Sequence, residues 1–158
     1  MMISKKEEIL QNLELALKEI NVLNSYDGTT NYENTVGYID RQYINIQEDD
    51  IKTKPNNWVI INNEGESFDP IVGGSFENTL HVQIVGFIQA SKDRPNLDTN
   101  MNSLQRDIFL AMMKDVTLGG KCDYIMPVNI ETVDELMYPY GGFVISFDIV
   151  YTFFKNNI

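Results

Sequence analysis

Hydrophobic positions recur along this chain at two periods, and the strongest pattern lies in its last strand-like stretch. Phe143, Ile145, Phe147, Ile149, Tyr151 and Phe153 alternate with Val144, Ser146, Asp148, Val150, Thr152 and Phe154. That is period two, the spacing of a strand with one buried face, and its β-branched and aromatic residues suit a pleated surface. Burying six such side chains is worth roughly 10–18 kcal/mol before ordering entropy is subtracted, so that face must meet a core. The other face is mixed and is expected to meet water or a second subunit.

Upstream, the period changes to that of a helix. Ser4-x-x-Glu7 has the form of a capping box, and Ile9, Leu10, Leu13, Ala16, Leu17 and Ile20 follow on one stripe. Asp27-Gly28 marks a turn before a first strand near residues 35–44. A loop over 49–57 with Pro55 follows, then Trp58-Val59-Ile60-Ile61, an apolar run suited to a strand buried on both faces. Residues 62–78 carry four Gly or Pro among acids and predict a long loop. Strand character returns at residues 79–90, where Gly86 marks a bulge or a close backbone approach. A second helix is expected from Leu97 or Asn100 to Val116, with Met101, Leu104, Ile108, Ala111 and Met112 as its stripe and Gly119-Gly120 as its stop. A strand over 121–131 contains Pro127, which argues for a sheet edge or a bulge. Residues 131–142 predict a second long loop. The expected fold is therefore a single α+β domain over residues 1–158. Two helices pack on a mostly antiparallel or mixed sheet of about five strands, in the order α-β-β-β-α-β-β.

Composition narrows the function more than the fold. The net charge of −11 disfavours a nucleic-acid groove, which would neutralise phosphates with Lys and Arg. No apolar run approaches membrane-spanning length, and the first ten residues lack the apolar core of a signal peptide. One cysteine, Cys122, cannot form an internal disulfide, which fits synthesis in a reducing cytoplasm.

Ingredients for catalysis are few. His81 is the only histidine, and no motif places a nucleophile or chelating partner beside it. A nucleophilic Cys122 paired with His81 is the hydrolase alternative, without a family signature to support it. The acidic pairs Asp49-Asp50 and Asp134-Glu135 lack calcium-loop spacing, and neither diglycine is a phosphate loop. No catalytic residue, metal site or cofactor is expected. A small ligand-binding domain is the other alternative, which would require an apolar cavity.

Asp115, Thr117, Leu118, Gly119 and Gly120 after a helix, then Tyr140-Gly141-Gly142 and Val150-Tyr151, form a layout that resembles phage tail-terminator proteins. The upstream order is similar too: an amphipathic helix, a strand near Tyr32 to Val36, Pro55 before an apolar strand, an acidic loop, and a strand like residues 80–88. The resemblance implies a virion protein without an active site, one that forms a ring, usually six-fold, at the head-proximal end of the tail. There it would stop tube polymerisation and offer a docking surface to the head. The partners so implied are further copies of itself, the tail tube protein and a neck or head-completion protein, with DNA passing through unbound. Neck and head-completion connectors share a similar fold and are the alternative within this class. A ring would order the two long loops, so their apolar residues are the expected assembly interface: Phe68, Ile71 and Phe76 in one, Leu136, Met137, Tyr138 and Tyr140 in the other.

Overall fold

A computed structural model describes residues 3–41, 48–54 and 57–154. Helix α1 (Lys5–Lys18) begins at Ser4, whose hydroxyl accepts the Glu7 N–H at 3.1 Å. Glu7 does not close the capping box. Its carboxylate instead accepts two bonds from the Arg41 guanidinium, at 2.6 and 3.0 Å, which hold it below the usual carboxylate range. Strand β1 (Val36–Asp40), the short helix α2 (Glu48–Lys52), β2 (Asn57–Ile71), β3 (Ser75–Gln89), α3 (Leu97–Lys114), β4 (Tyr124–Thr132) and β5 (Tyr140–Phe154) follow among the described residues.

The five strands form one mixed sheet in the order β1-β2-β3-β5-β4, antiparallel except where β1 joins β2. The fold is thus α+β, but the expected element order is corrected by α2, one and a half turns between β1 and β2 that no periodicity announces. The first strand ends at Asp40, short of its expected end, with Arg41 already in a bend; residues 42–44 of the expected range lie outside the described residues, as does Pro55. The second helix ends at Lys114, before the diglycine. Asp115 then builds the turn, its side chain accepting the Thr117 and Gly119 N–H groups at 3.1 and 2.8 Å.

Both expected long loops are largely strand. Residues 62–78 form the outer half of a β2–β3 hairpin that pairs as far as Ile71 opposite Ser75. Only residues 72–74 turn, with Gly73 and Gly74 in the left-handed region at φ +95° and +79°. A bulge between Asn63 and Gly65 explains the misreading. Residues 59, 61 and 63 face the helices before it and residues 66, 68 and 70 after it, so simple alternation is lost. The second loop shrinks to residues 133–139, because β4 continues to Thr132 and β5 opens at Tyr140.

Helices α1 and α3 cover one face of the sheet. The six alternating β5 residues named above are all buried there, with Leu80, Val82 and Ile84 of β3 beside them. Among the described residues the opposite face is covered at one end only. Ile51 of α2 joins Trp58, Ile60, Val85 and Phe87 in a second cluster, against which Leu136, Tyr140 and Val144 pack. Hence Trp58-Val59-Ile60-Ile61 is buried on both sides, as the run predicts. Pro127 lies on the edge strand β4, beside a register shift between Pro127 and Asn129.

Gly86 is a close approach. The Phe143 ring occupies the space of a side chain, and a Cβ on Gly86 would lie 2.4 Å from Phe143 Cζ. Gly86→Ala must push that ring into a packed core, and we expect a loss of about 1–3 kcal/mol in urea unfolding. A variant as stable as the parent would contradict this packing.

Candidate functional site

The seven residues expected at an interface divide into two groups. Phe68 (56% exposed) and Ile71 stand open near the hairpin tip, with Val72 (97%) at the turn beside them. Met137 (75%) and Tyr138 (67%) stand open on the 133–139 loop, where the Tyr138 hydroxyl donates to the Pro95 carbonyl at 3.1 Å. The other three turn inward and are half-buried. Phe76 stacks on Phe153 with ring centroids 5.5 Å apart, and Leu136 and Tyr140 pack on the second core cluster. The structure also separates the two groups. The tip pairs with the end of β5 and the loop precedes its start, so roughly 45 Å of strand lies between them.

Sequence reasoning missed two further apolar surfaces. One is Val72 itself, signalled by an apolar pair immediately before Gly73-Gly74. The other is β4, where Tyr124, Met126, Val128 and Ile130 are all exposed. Pro127 marks this strand as an edge or a bulge, and as the sheet edge it leaves these apolar side chains open.

On the open face, His81 is not isolated. Its Nδ1 lies 2.7 Å from Asp148 Oδ1 and its Nε2 lies 2.9 Å from Ser67 Oγ. No motif announces these partners, yet Ser, His and Asp are linked in the order of a hydrolytic triad. The order alone does not make a site. Acyl transfer also needs N–H donors aimed at a carbonyl oxygen and a pocket that excludes water. Here Ser67, His81 and Asp148 lie on the flat of three adjacent strands, and the His81 side chain is 43% exposed. The chain of bonds ties β2, β3 and β5 together across the outer half of the hairpin. The hydrolase pairing with Cys122 is not formed, because Cys122 is buried in the helix-side core while His81 is on the opposite face. Burial pushes the Cys122 thiol up to about 11, so it is protonated at neutral pH.

A third feature lies at the loop end of the molecule. Asp107 of α3, fully buried, accepts through Oδ2 the N–H groups of Glu33 and Asn34 at 3.0 and 2.8 Å and the Asn34 side-chain amide at 2.8 Å. Asn34 in turn accepts from the Arg94 guanidinium at 2.9 Å. This anchored pair forms part of a polar cleft of about 670 Å³, whose walls also include Lys52, Lys54, Gln89 and Glu33. Lys54 is held over the rings of Tyr38 and Trp58, 4.7 and 5.1 Å from their centroids.

At the other end, under the hairpin, Glu66 is fixed to α1. It takes a 2.7 Å ion pair from Lys6, a 3.0 Å bond from the Tyr151 hydroxyl and a further bond from the buried Asn78 amide. Burial raises its pKa, but these three donors together hold it below the ordinary value near 4.5. Among the described residues no three His, Cys, Asp or Glu side chains gather as a metal site would require. No helix of the described residues is long and apolar enough to cross a membrane. The pair Asp134 and Glu135 is exposed on the loop, and the side chain of Asp49 lies outside the described residues. No protein-family model matches this chain, and a search of curated proteins finds no match either.

Two outcomes follow from this geometry. Hydrolysis of p-nitrophenyl acetate by the parent chain should equal that of Ser67→Ala; a parent rate that disappears in the variant would restore the hydrolase reading. Glu66 titrates lower when folded than unfolded, so its contribution is complete above pH 4.5 and lost as the pH falls through the lower folded value. Acid denaturation should therefore be shallower for Glu66→Gln, with the two chains converging at the lowest pH. Parallel curves would show that Glu66 contributes nothing.

Proposed function

We propose that this chain is a structural subunit of a phage virion, closing into a ring at the head-proximal end of the tail. In that place it stops polymerisation of the tail tube and presents a docking surface to the head-completion proteins. The observation that carries the reading is the pair of apolar surfaces at opposite ends of one sheet, Phe68, Ile71 and Val72 at one and Met137 and Tyr138 at the other. A self-complementary dimer needs one patch. A head-to-tail contact needs two different ones, and it closes into a ring when the rotation between copies permits. The resemblance to tail terminators in the order of elements and in the Asp115–Gly120 turn points to the same kind of assembly. The surplus of carboxylates suits a wall past which DNA must slide, since it repels phosphates instead of holding them.

Polymerising purified tail tube protein with and without this chain, and measuring tube lengths by electron microscopy, tests the reading. Added chain should shorten the tubes and appear as a terminal ring. Ile71→Ser with Val72→Ser removes apolar surface only from the exposed tip, so the melting temperature should stay within a few degrees of the parent while capping weakens. Tubes of unchanged length at saturating protein would contradict the assignment.

A further inference from the structure

The distribution of charge is more uneven than the total suggests. Residues 57–91 contain no Lys or Arg, although they hold Glu64, Glu66, Asp69 and Glu77. Glu66 is occupied by Lys6, Asn78 and Tyr151, whereas Glu64, Asp69 and Glu77 are exposed and make no ion pair or side-chain hydrogen bond among the described residues. Asp69 is also the direct cross-strand partner of Glu77. Like charges set opposite each other on one face of a sheet destabilise it. The subunit thus carries an unfavourable pair of carboxylates beside its apolar tip, and no ion pair among the described residues relieves it.

The cations are distributed in the complementary way. Lys6, Lys18, Arg41, Arg106, Lys114 and Lys121 each lie within 4 Å of a carboxylate. Lys52, Lys54 and Arg94 have no carboxylate partner among the described residues, and all three line the same cleft. The one acid lining it among the described residues, Glu33, is engaged elsewhere, accepting from Ser103 Oγ at 2.5 Å and lying 3.5 Å from Arg106. In a chain with nearly twice as many acids as bases, three bases gathered in one place without a carboxylate partner among the described residues suit an anionic partner. The chain's own tip cannot supply it. Strand β3 runs from Ser75 beside the tip to Gln89 in the cleft wall, about 45 Å of extended chain.

We propose that the acidic hairpin tip of one copy docks into the Lys52–Lys54–Arg94 cleft of the next, joining subunits head to tail. The inference rests on the ring reading and names its contact. The apolar tip residues supply burial, while Asp69 and Glu77 select the cleft and lose their mutual repulsion there.

Reciprocal charge reversal tests it. Lys52→Glu with Lys54→Glu makes a cleft variant, and Asp69→Lys with Glu77→Lys makes a hairpin variant; Lys52, Asp69 and Glu77 are exposed, and Lys54 is half-buried over the rings of Tyr38 and Trp58. By light scattering after gel filtration, each variant alone should associate roughly a hundredfold more weakly than the parent. An equimolar mixture should recover assembly, because each reversed tip then meets a cleft of opposite sign. Parent assembly should also weaken as salt is raised to about 1 M. Circular-dichroism melts establish that both variants fold. If the parent assembles and either folded variant assembles equally well alone, the docking is wrong while the ring reading stands. A mixture of folded variants that stays dissociated also overturns it. Saturable binding of inorganic phosphate to the parent, lost in the cleft variant whose assembly is unchanged, would assign the cleft to a small anion instead. A parent that never assembles overturns the ring reading itself, and the docking with it.

Discussion

Everything in this molecule hangs on the pairing of β3 with β5, two fifteen-residue strands in register from Ser75 opposite Phe154 to Gln89 opposite Tyr140. Side chains alternate between faces, so this single ladder decides which residues α1 and α3 must cover and which stay open. It places Phe143 on Gly86 and His81 opposite Asp148. It also sets the hairpin tip and the 133–139 loop at opposite ends of one rigid element. A shorter ladder would bring those two surfaces together and remove the geometry that favours head-to-tail contact.

Much of this was legible in the sequence where burial is one-sided and uninterrupted. The odd-numbered residues of β5 announced their face, Ser4 announced the start of α1, and Pro127 announced an edge. What was not legible has a common physical cause, the lack of a continuous core contact. The outer half of the β2–β3 hairpin extends past the main helical cover and carries a bulge at Gly65, so its alternation breaks and its Gly and Pro residues suggest a loop. Helix α2 covers only the small cluster around Trp58 and Phe87 and is too short to show a period.

The candidate sites were hidden for a different reason: they are joined by register, not by sequence. Ser67, His81 and Asp148 lie on three strands, and no spacing within any one of them predicts their contact. The cleft draws Lys52 from the end of α2, Lys54 from just after it and Arg94 from the loop before α3, on either side of the whole β2–β3 hairpin in sequence. One signal was present and went unread. The absence of Lys and Arg across residues 57–91 is visible in the bare sequence, and it marks the hairpin as an acidic arm.

The ring proposal requires closed self-assembly through two unlike surfaces. Native mass spectrometry of the intact chain over a range of concentrations tests it most directly. A heterologous ring predicts monomer and one larger closed species, six copies if the tail-terminator resemblance carries its usual symmetry, with little population between. A stable dimer as the end state would point to a self-complementary patch. Monomer at every concentration would contradict the account outright.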